Sequence, residues 1–157
     1  MSVTVRRAQS DADFRHLHEL FVAYESDLPA VLRHGEVPNL LGIARTYGLP
    51  NAAFVAIFEK RAIGCVALKR TPGDRAGAAV LLRLFVRPEH RRLGAARLLL
   101  QAAIAFAREA GDERIVLDTH KGQLEAAYRL YRSLGFQECE AYGEVSYQSP
   151  TFMQLEL

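Results

Sequence analysis

Apolar residues recur along the chain with two different periods, and the switches between them outline its elements. Val3 and Val5 alternate with Thr4 and Arg6, the pattern of a short half-buried strand. Ser10 and Asp11 then offer an N-cap to a segment in which Phe14, Leu17, Phe21, Tyr24 and Leu28 fall at helical spacing. Pro29, Gly35, Pro38 and Gly48 punctuate the next stretch, which has room for one short helix over 39–47. Two β-prone runs, 52–58 and 62–69, flank Glu59, Lys60 and Arg61 and predict a hairpin. Thr71, Pro72, Gly73 and Asp74 then read as a turn. The run 78–86, apolar except for Arg83, predicts a strand buried on both faces and stopped by Pro88. A long helix rich in Leu and Ala follows over 93–110, ended by Gly111. A strand at 114–118 comes next, then a helix carrying Leu124, Ala127, Tyr128, Tyr131 and Leu134 and closed by Gly135. Terminal strands at 136–139 and 151–157 complete the order.

This β-α-α-β-β-β-α-β-α-β-β order predicts a mixed sheet covered by helices, α/β in class or α+β by stricter naming, and excludes an eightfold barrel. With 157 residues the chain is expected to form a single domain, 1–157. A formal charge of +2 is too small to mark a bulk binder of nucleic acid or membrane, so neither partner is expected and any anion recognition must be local. Lys60, Lys69 and Lys121 are the only lysines; the other basic residues are arginines, suited to forked contacts with phosphate or carboxylate. Cys65 and Cys139 have neither metal-site spacing nor the numbers of a disulfide framework. No export signal opens the sequence, because Arg6, Arg7, Asp11 and Asp13 break the first residues, and no run approaches a membrane span. A cytoplasmic protein is expected. His16 and His18, two apart on a helix, point in different directions, so no metal is expected there.

The stretch most suggestive of chemistry is 86–97, V-R-P-E-H-R-R-L-G-A-A-R, between a buried strand and a long helix. Small residues at Gly94, Ala95 and Ala96 let backbone N–H groups at a helix N-terminus meet an anion, and Arg91, Arg92 and Arg97 flank the spot. A phosphate or pyrophosphate fits such a turn. Neither G-x-x-x-x-G-K-[ST] nor G-x-G-x-x-G is present, which argues against a P-loop and a Rossmann dinucleotide site.

On these residues the sequence resembles the GCN5-related N-acetyltransferase (GNAT) family, whose pyrophosphate loop [QR]-x-x-G-x-[GA] is matched by Arg91, Gly94 and Ala96. Leu84 to Pro88 resembles the family's strand before the loop, Leu117 to Thr119 its next strand, and A-Y-R-L-Y-R-S-L-G-F at 127–136 its following helix and turn. The resemblance implies the acyl-CoA N-acyltransferase fold, with a mostly antiparallel central sheet flanked by helices, and acetyl-CoA as cosubstrate. It also implies a cofactor site from Leu84, Phe85 and Val86, lying along the pantetheine arm, through Arg91, Arg92, Leu93, Gly94, Ala95, Ala96 and Arg97 at the pyrophosphate. The strands before and after the loop are then expected to splay apart.

The same resemblance implies that Tyr131 reaches the thioester end of the cofactor and gives a proton to the departing thiolate, a role open to a phenol because it remains protonated at neutral pH. Its alternative is a core aromatic on the face shared with Ala127 and Leu134. The position where many relatives carry a basic glutamate is Val80, which accepts no proton. His120, or Glu25 through water, are the substitutes, against the alternatives of a solvated loop histidine and a surface glutamate. The expected activity is transfer of an acetyl group to a primary amine of a small molecule or protein, by direct attack in a ternary complex. A catalytically weak acyl-CoA-binding or sensor module is the rival. A homodimer is left open.

Overall fold

Helix α1 begins where its capping residues stand. In a computed structural model of the chain, which describes residues 2–70 and 77–157, the Ser10 hydroxyl accepts from the Asp13 amide at 3.1 Å while the Asp13 carboxylate accepts from the Ser10 and Gln9 amides. Burial alone would raise the Asp13 carboxyl, but those amides and the Arg6 guanidinium on the preceding strand outweigh it and hold it below its ordinary value. The cap thus locks helix to sheet.

The element order is β1 (Thr4–Arg7), α1 (Asp11–Asp27), a 3₁₀ turn (Ala30–Leu32), α2 (Leu40–Thr46), β2 (Ala52–Phe58), β3 (Arg61–Arg70) and β4 (Ala78–Val86). A second 3₁₀ turn (Pro88–His90), α3 (Ala95–Glu109), β5 (Arg114–Thr119), α4 (Glu125–Ser133), β6 (Gln137–Glu138) and β7 (Thr151–Glu156) complete the chain. Every strand and α-helix expected from the periodicity forms; the two 3₁₀ turns were not anticipated. Helix α3 starts at Ala95 rather than at residue 93 because Gly94 sits at φ +80°, outside helical space. The expected turn at Thr71 to Asp74 lies outside the described residues.

The seven strands lie in the order β1-β2-β3-β4-β5-β7-β6, antiparallel throughout except for the β4–β5 pair. Side chains of successive strand residues go to opposite faces. Ala52, Phe54 and Ala56 of β2 join Leu99, Leu100 and Ala103 of α3 on one side. Ala53 and Val55 join Leu17, Leu20 and Phe21 of α1 and Ile43 of α2 on the other. The result is a sheet between two helical layers.

Two irregularities in β4 open the sheet. Register shifts between Cys65↔Phe85 and Ala67↔Leu82, so Arg83 and Leu84 together face Val66 of β3. This is a β-bulge, with Arg83 at φ +57°. Cys65, fully buried and with its thiol pushed up to about 12 by burial, donates its S–H to the Arg83 carbonyl at 3.4 Å. The second irregularity is that parallel pairing with β5 ends at Val80↔Val116, while Leu117, Asp118 and Thr119 continue only with β7. Beyond that point β4 and β5 no longer pair, as the splay implied by the family resemblance requires.

Gly64 permits the close approach of β3 to this bulge, because a Cβ there would stand 2.7 Å from the Phe85 carbonyl oxygen and 3.3 Å from Leu99. Gly64→Ala is expected to cost about 1–3 kcal/mol by overpacking, read from the midpoint of urea unfolding. An unchanged midpoint would mean that β3 and β4 yield without strain.

Candidate active site

The junction from β4 to α3 is where backbone donors go unclaimed. Among the described residues, no backbone hydrogen bond accepts from the amides of Arg92 through Arg97. A Cβ at Gly94 would meet nothing within 4 Å, so the space in front of these amides is open. Aligned N–H groups at the start of a 15-residue helix, with the positive end of its dipole, fit a pyrophosphate. The flanking arginines are not equivalent. Arg91 donates from Nε to the Val86 carbonyl at 3.1 Å and from Nη2 to Asp27 of α1 at 2.8 Å, so it braces the loop. Arg97 donates to the Ser133 hydroxyl of α4 at 2.9 Å. Arg92, at φ +70°, has no side-chain partner among the described residues and remains available to an anion.

Leading into this loop, the edge of β4 that has left β5 carries backbone groups of its own. Arg87 donates its amide to Ile63 on the β3 side at 2.8 Å, and alternation therefore turns the backbone groups of Val86 toward the open side. An extended, amide-bearing chain can pair there as a strand would.

Past the end of β5's pairing with β4, Asp118 and Thr119 join Tyr24, His34, Leu124 and Tyr147 around a cavity of about 30 Å³, with Leu28 and Leu32 completing its wall. Asp118 accepts from Tyr147 at 2.7 Å and from Tyr142 at 3.3 Å, so the arm between β6 and β7 is tied down onto β5. Tyr131 is 6% exposed and tilts against Phe136 at a ring separation of 5.6 Å. Burial first, then the nearby Tyr24 and Asp118, push its phenol above the ordinary value, so it stays protonated across neutral pH. Desolvation and Asp118 act in the same direction on Tyr147.

Glu25 and His120, the two expected proton acceptors, are differently placed. The Glu25 carboxylate is buried and accepts from the His34 amide at 2.9 Å and from His34 Nδ1 at 2.8 Å. His120 begins the turn before α4, where its Nδ1 accepts from the Gln123 amide at 3.1 Å, so the lone pair a base would use is engaged. Val80 pairs with Val116 inside the sheet. Periodicity had marked Arg83 only as a break in an apolar run. Its guanidinium lies 4.7 Å over the Phe21 ring and 4.0 Å from Glu25, with Nε and Nη1 buried and lacking hydrogen-bond partners. His34, Tyr24, Asp118 and Tyr147 were likewise not singled out as site residues. Only the assembly of α1, β5 and the β6–β7 arm brings them together.

This geometry can be set beside known proteins. The model of the acetyltransferase (GNAT) family matches residues 11–136. The chain belongs to the GNAT family. An uncharacterised N-acetyltransferase of Schizosaccharomyces pombe is 35% identical over 156 residues, 98% of this chain and 92% of that protein. The uncharacterised N-acetyltransferase YsnE of Bacillus subtilis is 35% identical over 108 residues, covering 68% and 69%. Among solved structures, yncA of Salmonella typhimurium, determined with its cofactor acetyl-CoA, superposes with a TM-score of 0.81 at 23% identity over 99% of this chain and 94% of that one. That likeness supports the fold. The GNAT match ends at Phe136, so the arm bearing Tyr142 and Tyr147 lies outside it. No helix among the described residues is long and apolar enough to cross a membrane.

Gly94→Glu is expected to abolish CoA binding with the fold retained, because it sets a carboxylate against a pyrophosphate at a helix N-terminus. Isothermal calorimetry with CoA, alongside far-UV circular dichroism, reads both. Gly94→Ala should bind more weakly than wild type but measurably, since only the positive φ is strained. Wild-type CoA affinity in a folded Gly94→Glu variant would remove the loop from the site.

Proposed function

We propose that the chain transfers an acetyl group from acetyl-CoA to a primary amine on a small molecule or protein, the amine attacking the thioester directly while both substrates are bound. The observation that carries this reading is the continuity of the open β4 edge with the unclaimed amides of Arg92 through Arg97. One extended ligand, amide-bearing at one end and anionic at the other, satisfies both. Leu84, Phe85 and Val86 would run along the pantetheine arm, and Arg91, Arg92, Leu93, Gly94, Ala95, Ala96 and Arg97 would form the pyrophosphate turn. The thioester then lies toward Tyr131 and the Asp118 cavity.

Asp118 supplies negative charge where an ammonium would enter, held by two tyrosine hydroxyls. Tyr131 donates its O–H to the departing sulfur. An alkyl thiol titrates near ~8.5, whereas burial holds the Tyr131 phenol above its ordinary value. The phenol therefore stabilises the thiolate by hydrogen bonding, and the proton that stays on sulfur is supplied in the end by the amine. Free-thiol release from acetyl-CoA across a set of primary amines tests the activity; release that is independent of every amine would be hydrolysis and would overturn it.

Saturating acetyl-CoA is expected to raise the melting temperature, because a ligand bound only by the native state at a hundredfold excess over Kd adds about 2.7 kcal/mol. No shift with either acetyl-CoA or CoA, together with silent calorimetry, would rule out the cosubstrate. Tyr131→Phe keeps the ring against Phe136 and removes the hydroxyl, and is expected to lower kcat roughly ten- to a thousandfold with acetyl-CoA affinity little changed. The smaller loss is favoured because water can also solvate a thiolate. An unaltered kcat, with chemistry shown to be rate-limiting, would leave Tyr131 a packing residue.

A further inference from the structure

Proton acceptors near the cavity can be compared one by one. Val80 is apolar and paired in the sheet. His120 has its Nδ1 lone pair engaged by the Gln123 amide, so in the neutral ring Nε2 carries the proton. Both oxygens of Asp118 already hold tyrosine hydroxyls. Glu25 is buried and directs both oxygens to His34. His34 differs from all of these. A carboxylate only accepts, so Nδ1 must be the protonated nitrogen facing Glu25, and in the neutral ring Nε2 keeps its lone pair. No hydrogen bond reaches Nε2 among the described residues. The ring is stacked on Tyr24 at 5.9 Å, lines the cavity with Asp118 and Tyr147, and is 48% exposed, so it has contact with both the site and solvent.

We infer that His34, oriented by Glu25, is the general base that takes the proton from the acceptor amine. The inference rests on the acetyltransferase reading. His34 is the catalytic residue and Glu25 a positioning residue that acts through it. An entering ammonium gives one proton to Nε2, which passes it to solvent. The neutral nitrogen attacks the acetyl carbon, the C–S bond breaks, and the nitrogen's second proton ends on the CoA thiol while Tyr131 remains a phenol. The products are an amide, CoA and one released proton. The groups packed around His34 are Tyr24 and Glu25 of α1, Arg83 of β4 across Glu25, and Asp118 and Tyr147 across the cavity. Arg83 lies 4.0 Å from Glu25, so it helps hold in place the carboxylate that fixes the imidazole tautomer.

Initial rates of acetyl transfer to a primary amine active with the wild-type chain test this, measured from about pH 5 to 9 to span imidazole titration. His34→Gln is expected to lower kcat/KM roughly a hundredfold, to remove the acidic limb of the profile and to leave calorimetric acetyl-CoA affinity unchanged. Hydroxylamine, already neutral at pH 7, should suffer a much smaller loss in the same variant. Glu25→Gln, which can still accept from Nδ1, should retain more kcat than Glu25→Ala at equal acetyl-CoA affinity. His34→Asn serves if His34→Gln does not fold. An acidic limb retained in a folded His34 variant, or an equal loss for hydroxylamine and the alkylamine, overturns the assignment. A wild-type chain that binds acetyl-CoA yet transfers to no amine would instead overturn the acetyltransferase reading itself.

Discussion

Two parallel strands that cease to exchange hydrogen bonds after three residue pairs leave peptide groups that must be satisfied from elsewhere, because unpaired backbone polar groups away from water are costly. The parting of β4 from β5 beyond Val80 and Val116 is the constraint on which the site depends. The bulge at Arg83 bends β4 away from its neighbour, and Gly64 lets β3 track the bend without a clash against Phe85. On the far side β5 remains fully paired with β7, so only one wall of the gap is displaced. A groove opened within a sheet in this way is already lined with donors and acceptors and is backed by the rigid core under α3.

The gap ends at a helix start that has no side-chain cap. Compared with α1, where Ser10 and Asp13 satisfy the first amides locally, α3 leaves that work undone. The two helix starts thus differ: one has its first amides satisfied by its own cap, and the other leaves them unclaimed. Arg91 links these regions, since its guanidinium spans from the Val86 carbonyl to Asp27 at the end of α1. The loop between β4 and α3 and the helix carrying Tyr24 and Glu25 are therefore mechanically joined.

A half-buried cation gives the other half of the site its order. Arg83 sits between Phe21 and Glu25 with two of its nitrogens lacking hydrogen bonds, a position that costs desolvation and is offset in part by the ring face and the carboxylate. Its guanidinium faces the Glu25 carboxylate, which accepts from Nδ1 and so selects the His34 tautomer. The bulge thus acts twice, opening the groove through its backbone and arranging the carboxylate through its side chain.

Element order and type were legible in the sequence because hydrophobic periodicity, caps and Gly–Pro punctuation are local properties, and the turn between β4 and α3 stood out because its glycine and its arginines lie within a few residues of one another. Tyr131 could be singled out for a similar reason, from the short segment around it. The bulge was not, since Arg83 differs from its neighbours in the sequence only as one polar residue in an apolar run, and its φ depends on how β3 and β4 align. Nor was the grouping of His34 and Glu25 with Asp118 and Tyr147, which come from four separate parts of the chain. Local pattern is enough to specify which segments become strands and helices and where an anion could meet a helix start. Which side chains share a cavity, and which nitrogen of His34 is free, is set by the folded arrangement, because these depend on long-range packing that no local pattern encodes.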